Sequence, residues 1–444
     1  MVSKLFGRKE RMEYGRSLRD AMSRAQQGEW DAKHRKQDPI ATILQSSQGR
    51  VAKLLPIRYG RMAASPFGFY RGTAAVMAAD LAILPRTGFH VQLCGDAHLN
   101  NLGFYAGVDG RSVFDINDFD ETIPGPWEWD VKRMSASVVL AGRTAGLPEK
   151  RCRAAVEVFV TNYQNRMKAL CEMPALEAGR YEVHRMTHVN TLSTALRKSE
   201  RATPKISKEK LTTVNAKSEL RFRKLEPVLF SLPSATGKSV YESLKAYRRT
   251  LLSERQHLLD FYRPVDVAFK VVGTGSVGMR DYVVLLLGND NNDALFLQIK
   301  EAGESALASY LPRAPRTQHN GRRVIEGQRR MQSQSDLLLG WTSIEGRHYL
   351  VRHLCDHKAS VEIADLRGNG LAEYAAICGE ILAKAHGRSG DPCVLSAYMG
   401  NSIKLHRALD RFAVAYADQA EKDFSKFCAA IKRGRIKADL SAAK

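Results

Sequence analysis

The sequence predicts an α+β fold of two lobes, and three observations support this. Helical periodicity dominates the first 260 residues. At Pro264 the pattern changes to short runs of β-branched and aliphatic residues, which are typical of strands. The chain has 444 residues, 44% of them hydrophobic, which is enough for two or three domains with a sizeable core.

The first part of the chain contains helices interrupted by two short strands. The predicted elements, in order, are a helical stretch at 11–27, a helix at 67–84, strands at 89–94 and 111–116, helices within 130–180, and a mostly helical region at 191–250. Pro85 and Gly88 end the second of these helices. The strand at 89–94 therefore leads directly into the polar motif discussed below.

The second part is predicted to form an antiparallel sheet. Its elements are strands at 265–273, 282–287 and 294–299, a helix at 324–334, strands at 337–343 and 348–353, and helices at 371–386 and 403–430. The main boundary is expected near residue 262. The predicted segments are an N-terminal helical segment at 1–88, a region with the polar motif and helices at 89–262, a glycine-turn and lysine region at 263–386, and C-terminal helices at 387–444.

The net charge is +21, which indicates an anionic partner. Residues 191–250 hold fourteen lysines and arginines against five acids. Aromatic residues do not alternate with these charges as base-stacking platforms would. A solvated helical face is therefore favoured here, and a nucleic-acid-binding or scaffold protein is the alternative.

Cysteine usage and hydropathy favour a cytoplasmic protein. The seven cysteines are widely spaced and form no C-x-x-C pair, so neither a disulfide framework nor a zinc site is predicted. No apolar run approaches the roughly 18 residues that a membrane span needs. The N-terminus has basic residues but no apolar segment of a secretory signal.

Three polar residues follow strand candidates at spacings that suit phosphoryl transfer. Asp96 and Asn101 lie on one tight loop, and Asp118 follows the next strand. Phosphoryl transfer needs a carboxylate near the attacking hydroxyl and oxygen ligands for Mg²⁺. These residues would supply both. The alternative is that they only end strands and cap turns.

The stretch Gly95–Asn101 reads GDAHLNN and resembles the catalytic loop of aminoglycoside and choline phosphotransferases. The stretch Asp118–Glu121, with Asp130 twelve residues after Asp118, is similar to their second motif. Cys94 stands where those enzymes carry a histidine.

The resemblance implies a role for each matching residue. Asp96 would be the catalytic base, and His98 would stabilise its loop. Asn101 and Asp118 would bind Mg²⁺. Asp130 would be a structural anchor.

A glycine motif lies between two later strands. Gly273, Gly275, Ser276 and Gly278 belong to a G-x-G-x-x-G stretch that a strand follows. In kinases such a hairpin covers the nucleotide phosphates. A plain β-meander is the alternative.

The next strand ends in Lys300, which resembles the kinase lysine that binds the α- and β-phosphates. Glu326 on the following helix is the expected ion-pair partner of Lys300, with Glu304 as the alternative. An exposed lysine at a strand end is the other interpretation.

These two parts occur in the reverse of the usual kinase order. The glycine motif follows the Asp96 loop by more than 170 residues. We therefore predict a circularly permuted, protein-kinase-like fold, in which 265–386 supplies the N-lobe and 89–260 the catalytic loop and C-lobe helices. Chain termini that lie close together make such a permutation tolerable.

The whole chain also resembles a bacterial family of uncharacterised proteins, domain of unknown function 2252. The stretches that carry this resemblance are Phe69–Gly72, Gly95–Gly103, Phe114–Arg133, Val272–Gly278, Gln298–Ala302 and Ala385–Asp391. The family implies no substrate.

The expected function is an ATP- and Mg²⁺-dependent phosphotransferase that acts on an unknown small-molecule or protein acceptor. A pseudokinase or a nucleotidyl-transferring relative is the alternative within the same fold. Arg71 and Arg388 are further candidates for phosphate contact.

Overall fold

The computed structural model describes residues 7–183, 190–201, 204–216, 218–226, 228–271, 277–312, 314–315, 317–354 and 359–443. In these residues the chain forms helices together with antiparallel sheets, so the predicted α+β class is confirmed. None of the helices in these ranges is long and apolar enough to cross a membrane.

Short helices form the N-terminal part of the described chain. They are α1 (Arg8–Ala21), α2 (Pro39–Gln45), α3 (Leu55–Ala63), α4 (Pro66–Arg71) and α5 (Ala74–Ala82). The single helix predicted at 67–84 is two helices, because α4 ends at Gly72 and α5 begins after Thr73. Because of this break, Arg71 is the last residue of α4 and not an interior residue of one longer helix.

Two small hairpins carry the polar motif. The strands are β1 (His90–Leu93), β2 (Leu102–Ala106), β3 (Ser112–Ile116) and β4 (Ile123–Pro126), and β1 pairs with β4 while β2 pairs with β3. The sequence predicted β1 and β3 but missed β2 and β4. Strands of four or five residues give little periodicity, and pairing with a neighbour decides them.

The middle of the chain is less helical than predicted. It contains α6 (Glu128–Thr144), α7 (Glu149–Glu172), α8 (Ala175–Arg180), α9 (Asn190–Arg201), α10 (Pro204–Leu211), β5 (Thr212–Val214), β6 (Leu220–Phe222), β7 (Leu229–Ser231), α11 (Ser234–Arg248) and α12 (Ser253–Asp260). Strands β5 to β7 were expected to be helical. Each is three residues long, and β7 is stabilised by pairing with a later strand, Phe230 opposite Phe269.

The larger sheet lies in the second half, as predicted. Its further elements are β8 (Arg263–Lys270), β9 (Asp281–Leu287), β10 (Ala294–Glu301), α13 (Asn320–Met331), β11 (Gly340–Ile344) and β12 (Arg347–His353). The six strands are antiparallel in the order β11-β12-β10-β9-β8-β7. Helix α11 packs on this sheet through Val240 and Tyr247, so structural units cross the boundary proposed near residue 262.

The main hydrophobic core lies next to the loop that carries the polar motif. It joins β1, α6 and α7 to the C-terminal helices α14 (Gly370–Ser389), α15 (Pro392–Met399) and α16 (Lys404–Lys432). Helices α7 and α14 approach so closely that a Cβ at Gly379 would lie 2.4 Å from the carbonyl oxygen of Phe159. This packing fixes α6 and α14, whose side chains support the Asp96 loop.

Candidate functional site

The loop after β1 turns sharply at Gly95. This residue has a φ of +82°, and a Cβ here would lie 2.2 Å from the carbonyl oxygen of Glu121. Glycine is the residue that tolerates both constraints. The turn brings the next residue, Asp96, close to the segment that follows β3.

Asp130 in the first turn of α6 anchors this loop. One carboxylate oxygen accepts the Cys94 N–H at 2.8 Å, and the other accepts the Gly95 N–H at 3.0 Å. Asp130 is 1% exposed, so these bonds are shielded from water. In this structure Asp130 therefore fixes the backbone of Cys94 and Gly95.

A buried histidine from α14 supports the same carboxylate. The Nε2 of His386 lies 3.3 Å from Asp130 Oδ2, and its Nδ1 lies 2.8 Å from the Tyr163 hydroxyl. The loop is therefore supported by a histidine that lies nearly 300 residues away from it in the sequence.

Asp96 is held by a buried guanidinium. The Nε and Nη2 of Arg133 lie 2.6 and 2.5 Å from Asp96 Oδ1. Arg133 also lies over the ring of Tyr70, at 4.4 Å from its centroid. Burial disfavours the charged guanidinium, but Asp96 and Tyr70 outweigh this and raise the pKa of Arg133. Asp96 Oδ2 remains on the side away from this contact.

His98 lies next to Asp96 as a neutral imidazole. Its Nε2 is 3.6 Å from Asp96 Oδ2, and its ring makes an edge contact with Phe67. Burial lowers the pKa of His98 to about 4, and the nearby charge of Arg71 acts in the same direction. His98 is 6% exposed, which suits a role in supporting the loop.

Asn101 connects the two acidic segments. Its Nδ2 donates to the carbonyl oxygens of Asp96 and Asp118, each at 3.0 Å, and its Oδ1 accepts the Asp118 N–H at 2.8 Å. The side chain is thus committed to backbone groups, and the residue is 2% exposed. In this structure Asn101 fixes the relative position of Asp96 and Asp118, and the role of metal ligand predicted for it would need a second lone pair of Oδ1.

Lys300 meets the acidic segment from the large sheet. Its ammonium lies 2.5 Å from Asp120 Oδ2 and 3.7 Å from Asp118 Oδ1, although Asp120 precedes it by 180 residues. Lys300 is 4% exposed. Burial opposes its charge, but Asp118 and Asp120 more than compensate and raise its pKa. The two distant segments therefore meet through an ion pair between charged groups.

The glycine motif is described only at its end. Gly273, Gly275 and Ser276 lie outside the described residues. Gly278 has a φ of +90°, and its carbonyl oxygen accepts the Val51 N–H at 2.7 Å. The N-terminal segment near Val51 therefore packs against the end of this turn.

The ion pair predicted for Glu326 is corrected by the structure. Glu326 pairs with Arg322 one helical turn earlier, at 2.7 Å, whereas Lys300 pairs with aspartates. The α13 residue that faces the site is Arg323, which donates to the carbonyl oxygens of Asp120 and Thr122.

The acidic residues fit a magnesium ion that arrives with a nucleotide. Among the described residues, no group of three or more His, Cys, Asp or Glu could hold a metal ion alone. Mg²⁺ typically uses one or two protein carboxylates, substrate phosphates and water. Asp118, with a side chain 49% exposed, and Asp120 already converge on a cation, the Lys300 ammonium.

A cavity of about 370 Å³ lies beside these residues. Its lining includes the carboxylates of Asp96, Asp118 and Asp120. It also includes a basic cluster that consists of Arg50, Arg58 and Arg71. The basic cluster comes from the N-terminal segment, which had been assigned no part in the site apart from Arg71.

Sequence reasoning missed several residues of this site. Asp120 and Arg133 stand within the recognised motifs, but nothing in a single sequence shows that Lys300 selects Asp120 or that Arg133 reaches Asp96. Arg58 gave no signal at all. Arg388 does not line the cavity, because its guanidinium donates to the carbonyl oxygens of Gly179 and Arg330.

Comparison with models of protein families gives a match over most of the chain. The model of a bacterial protein family described as "Uncharacterized protein conserved in bacteria (DUF2252)" matches residues 50–430. No curated protein and no solved structure matches the chain.

Proposed function

The chain belongs to this bacterial family, DUF2252. From the geometry of the site, we propose that the protein is an ATP- and Mg²⁺-dependent phosphotransferase with a kinase-like, circularly permuted arrangement. The single observation that supports it best is the meeting of Lys300 with Asp118 and Asp120. In kinases a strand lysine and a metal-binding aspartate act on the same phosphates. The order of elements from β8 to β12, with α13 after the lysine strand, also suits a kinase N-lobe.

Each residue of the site has a role in this proposal. Asp118 and Asp120 would hold Mg²⁺, which when bound neutralises charge on the nucleotide phosphates. Lys300 would exchange Asp120 for a phosphate oxygen. The Gly278 turn borders the same region.

Asp96 would act on the acceptor. Arg133 binds its Oδ1 and fixes the orientation of the carboxylate. Its Oδ2 is then the atom that accepts the hydrogen bond of the acceptor hydroxyl and takes its proton. Neutral His98, 3.6 Å from this oxygen, supports the loop without adding charge.

Transfer of the nucleotide to an acceptor, in which the α-phosphate is attacked, is the second candidate. It uses the same groups, because Lys300, Asp118 and Asp120 could hold the phosphates and Mg²⁺ for either reaction. A predominantly basic binding protein is the third, and region 191–250 would carry that activity.

The first experiment measures nucleotide binding. We expect the wild-type protein to bind ATP with Mg²⁺ in isothermal titration calorimetry. Lys300→Met should weaken this binding about 10- to 100-fold, because a charged hydrogen bond contributes roughly 1.5–3 kcal/mol. Lys238→Met is the matched control, since the Lys238 side chain is 79% exposed on α11.

Equal ATP affinity in wild type and Lys300→Met would reject the nucleotide site. Tight oligonucleotide binding with a steep salt dependence, and no ATP binding, would favour the basic binding protein instead. Transfer of label from γ-labelled ATP to an acceptor supports phosphoryl transfer. Transfer from α-labelled ATP supports the nucleotidyl alternative.

A further inference from the structure

The cavity lining contains six acidic residues and the three arginines of the basic cluster. Three of the carboxylates have a cation that lies outside this cluster. Asp96 pairs with Arg133, Asp120 with Lys300, and Glu301 with Arg280 at 3.1 Å. Two arginines of the cluster, Arg58 and Arg71, form no ion pair within the described residues.

Arg58 is buried without a carboxylate partner in the described structure. It is 2% exposed, and its guanidinium donates to Ser47 Oγ at 3.1 Å and to the Gly72 carbonyl oxygen at 3.0 Å. Its Nε has no hydrogen-bond partner there. Burial, and then the charge of Arg50, lowers the pKa of Arg58 to about 9. An anion would relieve this unfavourable burial of charge.

Arg71 has still fewer partners. No hydrogen bond or ion pair of its side chain is formed within the described ranges, and its Nε is buried without a partner. Burial lowers its pKa, while the charges of Asp96 and Asp118 oppose this. Arg71 therefore lies in the field of both acidic segments without being bound to either.

The position of Arg71 relates the basic cluster to the acceptor side. Arg71 is the last residue of α4, and the preceding Tyr70 accepts a hydrogen bond from Arg133 Nη2 at 3.0 Å. Arg133 in turn holds Asp96. The helix end that carries Arg71 is thus fixed beside the carboxylate assigned to the acceptor hydroxyl.

We propose that Arg58 and Arg71 form a subsite for a phosphate group of the acceptor, so that the substrate is a small hydroxyl compound that already carries a phosphate; this rests on the proposed function. Guanidinium groups bind phosphate oxygens through several directed N–H donors. Two cations, one buried (Arg58) and one partly buried (Arg71), match the double charge of a phosphomonoester better than a single carboxylate. The cavity volume suits a small molecule and not a folded partner.

Arg50 has a different position in the cluster. Its Nη1 donates to the Val277 carbonyl oxygen at 2.7 Å, at the end of the glycine turn. Arg50 is therefore placed between the nucleotide region and the acceptor subsite. Arg58 and Arg71 are left as the groups that distinguish one acceptor from another.

The test uses inorganic phosphate as the probe, without nucleotide or metal. Calorimetry should detect phosphate binding to the wild-type chain, at least 10-fold weaker binding to Arg71→Met, and intermediate binding to Arg71→Lys. Because the Arg71 side chain forms no hydrogen bond or ion pair within the described residues, Arg71→Met should fold normally. Its melting temperature checks this. Lys53→Met removes a charge from the same N-terminal segment at an exposed position and should bind phosphate like wild type.

Two further arms separate this inference from the proposed function. ATP·Mg²⁺ affinity should change less than 2-fold in Arg71→Met, whereas Lys300→Met should lose ATP affinity and retain phosphate binding. With label from γ-labelled ATP, hydroxyl compounds should be better acceptors with a phosphate than without it, and Arg71→Met should remove this preference.

Several results would overturn the subsite. They are phosphate binding that is absent or unaffected by Arg71→Met, acetate binding as tight as phosphate binding, and a loss of ATP affinity in Arg71→Met equal to that in Lys300→Met. The last result would assign the arginines to the nucleotide. If the wild-type chain binds phosphate through Arg71 but does not bind ATP, the proposed function and the acceptor assignment are rejected. An anion site then remains.

Discussion

The anchor of the Asp96 loop can be tested by the substitution Asp130→Asn, which keeps the shape of the side chain and removes its charge. In the structure the carboxylate accepts the N–H groups of Cys94 and Gly95 and contacts His386 at 3.3 Å. Asparagine offers one acceptor oxygen, so at least one of these donors would face an NH₂ group.

The expected cost follows from these contacts. A hydrogen bond to a charged group contributes roughly 1.5–3 kcal/mol, and a buried donor left without a partner costs about 1–3 kcal/mol. We therefore expect the free energy needed to open the loop locally to fall by about 2–4 kcal/mol. Cys94 and Gly95 should then exchange their amide hydrogens at least about 30-fold faster, because 1.4 kcal/mol corresponds to a factor of ten.

Hydrogen exchange measured by mass spectrometry on peptides that cover residues 90–101 gives the direct readout. Fluorescence of Trp127 and Trp129, which are buried beside Asp130, reports unfolding in urea. Asp20→Asn, at an exposed position of α1, is the control. Unchanged exchange at Cys94 and Gly95, or a stability loss below about 0.5 kcal/mol, would show that the carboxylate does not hold the loop.

The remaining predictions concern four other carboxylates and a lysine. Asp118→Asn should abolish Mg²⁺-dependent ATP binding without unfolding the chain, since a hard cation loses a charged ligand; binding at matched Mg²⁺ equal to wild type would remove Asp118 from the site. Asp96→Asn should keep ATP affinity and lower turnover, and a collapse of ATP binding in the folded variant would contradict the role of base. Burial raises the pKa of Asp281 to about 6, so the native state binds the extra proton and stability should fall as pH rises from about 4 to 6; Asp281→Asn should flatten this slope in urea titrations, and an unchanged slope would exclude Asp281 as its source. Lys384→Met should cost about 3–5 kcal/mol because it leaves Asp115 buried without its ion pair, and Lys384→Met combined with Asp115→Asn should recover part of the loss; a double variant as unstable as the sum of both would refute the coupling.

Local chemistry made some residues of the site recognisable. The turn at Gly95 needs glycine, and Asp130 stands at a fixed distance from Asp118 along the chain, so a short stretch contains both the loop and its anchor. The strand that ends in Lys300 was also clear, because its run of apolar residues has strand length. These features depend on neighbours in sequence.

Other parts of the site could not be predicted because they depend on packing between distant elements. Glu326 and Arg323 lie on the same helix, and only the way α13 packs decides that Arg323 faces the acidic segment. Strands β5 to β7 occur in a region whose composition favours helices. Strand β7 forms there because pairing with β8 supplies hydrogen bonds that local propensity does not anticipate.

The sequence by itself determined the α+β class, the large sheet in the second half, the loop with Asp96 and Asn101, and the place of Asp118 after the next predicted strand. It did so because glycine turns, strand periodicity and motif spacing are properties of short segments. Only the tertiary structure decided that Lys300 pairs with Asp120, that His386 lies behind the loop, and that Arg58 and Arg71 line the cavity. Each of these contacts joins segments far apart in the chain, and the free energy that selects them comes from burial of the common core and from charges held there, which no single segment contains.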